Sequence, residues 1–135
     1  MNFSLQRACF ACLLVAAHLV AQPANADASR ASGYLTGASN DHAADYLAFL
    51  IRIYGCEVHV DDRPAFNTAI TRFIARDFGI DPGADTEESR AALRAINGEL
   101  FGFSFRAGPL LVERGELSID DDGTARLTQC NNLTS

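Results

Sequence analysis

His59 stands two residues before Asp61 and three before Asp62, the one place in the chain where a base and carboxylates crowd together. On an extended stretch, His59 and Asp61 point the same way. A carboxylate could then orient an imidazole acting as general base on a water or nucleophile. The same two acids also read as the cap and first-turn acids of a following helix, which accounts for them without chemistry. Nothing supplies a nucleophile to match. There is no G-x-S-x-G elbow, and the two cysteines beyond the leader are better used against each other. Zinc needs three or four ligands at helical or knuckle spacing, and no H-x-x-x-H, C-x-x-C or H-E-x-x-H occurs after residue 26.

A second cluster, Asp120-Asp121-Asp122-Gly123, invites a calcium reading. With Gly123 at the sixth place of a calcium loop, Asp120 and Asp122 occupy the third and fifth. Ser118 then takes the first, and Gln129 the twelfth, where a bidentate glutamate belongs. Two of the strongest ligands are wrong, and an acidic hairpin turn suits the same residues better. Glycoside cleavage has acids enough, but the chain has no Trp to build a sugar platform and no pair of acids is singled out. With no glycine-rich loop between a strand and a helix, nucleotide use is not indicated. No cofactor is expected.

The elements that hold these residues are mostly helical. Ser39 or Asn40 caps a first helix that runs to about Tyr54 and stops at Gly55. It is apolar nearly all round, which marks it as the central core helix. Its faces carry two stripes: Leu47, Leu50 and Tyr54 on one, Tyr46, Phe49 and Ile53 on the other. If both are not buried, the second is a docking surface for a partner or a second copy. A second helix starts at Asp61 or Asp62, with Pro64 in its first turn; it buries Phe66, Ile70, Phe73 and Ile74, and Gly79 ends it. A third opens at Asp85, in capping-box spacing with Glu88, and buries Ala92, Leu93, Ile96 and Leu100 to about Phe101. Gly102 to Gly108 is left open between helix, strand and loop, since Phe101, Phe103 and Phe105 alternate and Pro109 opposes a helix interior. The Phe cluster shares the ambiguity between core and docking surface. Gly115–Ile119 and Thr124–Thr128 alternate around the acidic turn as a β-hairpin.

Upstream, Arg7 and then the apolar run Ala8–Ala21, followed by Pro23 and Ala24-Asn25-Ala26, have the order of a signal peptide cleaved after Ala26. The run is too short to span a bilayer. Residues 27–38 read as a flexible lead-in, 39–130 as one domain, and 131–135 as a frayed tail. Asn132-Leu133-Thr134 fits a glycosylation sequon but is short enough to arise by chance. Export removes Cys9 and Cys12 and leaves Cys56 and Cys130, 74 residues apart, as one disulfide. Every basic residue is arginine, which with the A-x-A site leans towards a GC-rich bacterium and its periplasm.

The whole chain carries a formal charge of −6, and all seventeen acids lie beyond the leader. Such a surface repels nucleic acid and anionic lipid, so neither is an expected partner. The fold class expected is mainly α (α+β): three helices and a C-terminal hairpin, clamped by Cys56–Cys130. The function expected is non-catalytic binding of another protein in the periplasm, in the manner of small inhibitors, immunity proteins or chaperones. The alternatives are a small periplasmic hydrolase centred on His59 and Asp61, and a structural envelope component.

Overall fold

The computed structural model describes residues 23–130, which form four helices and one small sheet. The helices are α1 (Pro23–Gly37), α2 (Asn40–Tyr54), α3 (Arg63–Asp77) and α4 (Glu87–Glu113). The strands are β1 (Glu57–Val58), β2 (Leu117–Ile119) and β3 (Ala125–Leu127). The leader up to residue 22 and the tail from residue 131, with its sequon, lie outside the described residues. The mainly helical α+β class, the C-terminal hairpin and the Cys56–Cys130 disulfide are all present, and a fourth helix and a third strand add to them.

Local signals set α2 and α3. The Ser39 hydroxyl accepts from the His42 N–H at 3.3 Å, satisfying one of the orphan donors of the first turn of α2. Six residues of α2 are buried, from Ala43 to Ile51. Pro64 sits in the first turn of α3, where a missing N–H costs nothing. At the other end Gly79 takes φ 80°, and Ile80 N–H donates back to the Ala75 carbonyl at 2.8 Å, a Schellman closure.

Two expectations are corrected, and one is extended. Residues 27–38, read as a flexible lead-in, are helical through Gly37. Ala31 and Leu35 of this helix are fully buried against the core, so packing supplies what periodicity does not. Arg106 from α4 fastens its end, donating to the Leu35 carbonyl at 2.6 Å and the Ala38 carbonyl at 2.9 Å. The first is a last-turn carbonyl with no partner inside the helix, and the second lies just past the helix end. Pro23–Ala26, assigned to the leader, form the first turn of α1.

The second correction concerns α4, which does not stop near Phe101 but runs on through Gly102, Gly108 and Pro109 to Glu113, 27 residues and about 40 Å in all. Ala92, Ile96, Leu100, Phe103, Ala107 and Leu111 form one unbroken buried stripe down it. Pro109 deprives the Phe105 carbonyl of its donor, but both residues face solvent, where water serves that carbonyl. The tertiary stripe on the opposite face outweighs the local penalty. Its cap also differs: Thr86 accepts from Ser89 N–H at 3.1 Å, while Asp85 pairs with Arg90 instead of forming a box with Glu88. As a result α4, and not α2 alone, is the spine; α1, α2 and α3 all pack on it.

The sheet contains the expected hairpin and extends it. The hairpin β2–β3 gains β1 on its far side, giving the antiparallel order β1-β3-β2 with Glu57 opposite Arg126 and Val58 opposite Ala125. Arg126 ties the three strands by donating to Glu57 at 2.5 Å and Asp120 at 2.8 Å. Cys56 enters β1 with φ 74°, a left-handed backbone that costs a non-glycine residue on the order of 1 kcal/mol. Its Cα lies 5.9 Å from that of Cys130, within the usual span of a disulfide. The bond therefore ties the chain just after β3 to the end of α2. Among the described residues, no helix is long and apolar enough to cross a membrane.

Candidate functional site

His59 and Asp61 do come together, but in a way that opposes base catalysis. His59 Nδ1 accepts the Asp61 backbone N–H at 3.2 Å and caps the short 3-10 turn Val60–Asp62. That hydrogen bond occupies the Nδ1 lone pair. The Asp61 carboxylate stands 3.6 Å from the same Nδ1 and is 87% exposed, so it gains little from the pairing. The two residues build a turn.

Asp120 and Asp122 are likewise occupied. Asp120 receives Arg126 Nε, and Asp122 accepts the Thr124 N–H at 3.0 Å. Hydrogen bonds from the Thr124 hydroxyl and backbone N–H hold Asp122 below the ordinary carboxylate range. Both side chains serve the hairpin. Among the described residues no three His, Cys, Asp or Glu side chains converge to share an ion.

The Tyr46 stripe is divided. Phe49 and Ile53 are exposed by 41% and 46%, whereas Tyr46 is half-buried between α1, α2 and α4. Its ring meets Tyr34 edge-on at 5.4 Å and Phe103 at 6.1 Å. Among the described residues the buried Tyr46 hydroxyl has no hydrogen-bond partner, and burial, then the charge of Asp77 and the neighbouring Tyr34, push it up to about 12.

An open cleft lies elsewhere. On α4, Phe101 and Phe105 stand four residues apart and stack with centroids 6.3 Å apart, each 72% exposed. Phe103, between them in sequence, points the other way and is buried. Helical geometry thus resolves the alternation of the three rings into one core residue and two surface ones. The pair walls a cleft of about 290 Å³ whose floor is Leu100 and Leu117 and whose far side is Ile119 of β2. Ile119 is 65% exposed. The cleft continues under Val60 of the 3-10 turn, itself 54% exposed. Arg63, at the start of α3, is the only cation among the residues lining that cleft.

The sequence names Phe101 and Phe105 without fixing their face. Val60, Arg63 and Ile119 carry no signal of their own, because the sheet assembles them from segments far apart in the chain.

These parts define a class: a disulfide-closed, mainly helical domain with an open, largely apolar cleft. Compared with known proteins, the chain matches no family model, no curated sequence and no solved structure.

Proposed function

We propose that this chain is an exported, non-catalytic protein that binds another protein through the cleft between α4 and the sheet. The observation that carries the reading is the stacked pair Phe101 and Phe105, each 72% exposed at the mouth of an apolar floor. Covering both rings would remove on the order of 250 Å² of apolar surface from water. At about 25 cal/mol per Å² that is about 6 kcal/mol before the costs of association. Export is supported by the leader-like opening residues and by a disulfide, which persists in oxidising compartments.

The test is a photo-cross-linking residue placed at Phe105 of the full chain, expressed in its host and irradiated. A discrete protein adduct is expected from Phe105 and none from the same group at Ala91, an exposed position on the same helix. Equal adducts at both positions, or none at Phe105, overturn the binding reading. Mass measurement of the same exported protein should give a chain starting at Asp27 and two hydrogens short; an intact leader or two free thiols overturns the export reading.

A further inference from the structure

We infer that the segment which fills this cleft is apolar along its length and basic at one end; this rests on the binding reading above. Two acidic turns meet where the cleft runs under Val60. A Cβ on Gly123 would lie 3.0 Å from Val60 Cγ1, so the 3-10 turn and the hairpin turn are in direct contact. The first carries Asp61 and Asp62, the second Asp121 and Asp122, and all four are exposed. Among the described residues none of the four pairs with an arginine; Asp61 has only the imidazole of His59. Arg63 lines this end, and Arg126, whose hydrogen bonds go to Glu57 and Asp120, is near enough to act on the charge of Asp122, so four exposed acids face two arginines. A net negative rim therefore bounds one end of an apolar floor, and the aromatic pair bounds the other.

Charge chooses between occupants. A second copy of the chain brings a formal −6 of its own, and an anionic lipid surface is repelled in the same way. A peptide segment with Lys or Arg at one end meets the acidic rim with those residues and lays its apolar side chains on Phe101, Phe105 and Ile119. Each exposed ion pair is worth a factor of roughly two, so up to four together give about tenfold in affinity, screened by salt.

The probe is a short Leu/Ser peptide ending in Lys-Arg-Lys, set against one ending in Glu-Glu-Glu, with binding to the full exported protein read by fluorescence anisotropy. The basic peptide is expected to bind about tenfold more tightly at low salt, and the gap to narrow at high salt. The combined variant D61N/D62N/D121N/D122N keeps the turn acceptors as amides and should erase the preference. Neutralising Asp81 and Asp85, on the far loop, should leave it intact. Equal affinity for the two peptides, or a preference that survives the four amides, overturns this inference alone. If F101S/F105S leaves peptide affinity unchanged, the cleft reading itself falls. Sedimentation showing a dimer that F101S/F105S dissociates makes a second copy the occupant and overturns the inference.

Discussion

Replacing Tyr46 by Phe should stabilise the protein, because it removes a buried hydroxyl with no partner among the described residues. An unsatisfied buried polar group costs about 1–3 kcal/mol; the ring is only half-buried, so the lower figure applies. The edge-on contacts with Tyr34 and Phe103 are made by the ring and survive in phenylalanine. A gain of about 1 kcal/mol corresponds to a rise of about 4 °C in Tm for a domain of this size. The pH dependence gives an independent check. In the fold this phenol is raised to about 12, above its ordinary value of 10. Stability linked to it is fully present below pH 10 and is lost as pH rises through 12, because the unfolded chain ionises first. The full gap corresponds to about 2.7 kcal/mol. Solvent reaching a half-buried ring reduces this to about 1 kcal/mol. Urea unfolding of wild type and Y46F at pH 7, and again in steps from pH 9 to 12, measures both effects. The variant should be the more stable at pH 7, and its lead should widen above pH 10. If Y46F loses 1 kcal/mol or more at pH 7, the hydroxyl has a partner and the reasoning fails.

Two further perturbations test the fold. Arg106→Met strips two charge-assisted hydrogen bonds from carbonyls at the end of α1, at about 1.5–3 kcal/mol, and hydrogen exchange should quicken most in residues 27–37. Uniform acceleration across all four helices would show that α1 is not held there. The pair C56A/C130A opens a loop of 74 residues, for which chain entropy gives about 4 kcal/mol as an upper figure. The thermal midpoint should fall by well over 5 °C, and an unchanged midpoint would mean that the link is not formed.

What the sequence reveals depends on where the stabilising signal sits. Helices α2 and α3 announce themselves because their ends are written locally, in Ser39, Pro64, Gly55 and Gly79. The α1 segment is small and polar; Ala31 and Leu35 have helical spacing, but two apolar residues, one of them an alanine, make too faint a stripe to read, and the arginine that fastens the helix lies 71 positions away. The second half of α4 is obscured by Gly102, Gly108 and Pro109. Its buried stripe of Phe103, Ala107 and Leu111 outweighs local propensity only once the other helices are in place. The same division governs the site. Phe101 and Phe105 are visible as aromatics, but their outward face follows only from α4 being continuous. Val60 and Ile119 join them only because the hairpin folds back against the start of α3.

The position of the disulfide divides the molecule unequally. Everything from Cys56 to Cys130 forms a closed covalent ring that includes α3, α4 and the sheet, while α1 and α2 lie outside it. Under tension applied to its two ends, the chain can pay out the stretch before Cys56 and the five residues after Cys130, and nothing between them. From Asp27 the first stretch is on the order of 100 Å of contour. The ring, with both walls of the cleft inside it, stays the same length however hard the ends are drawn.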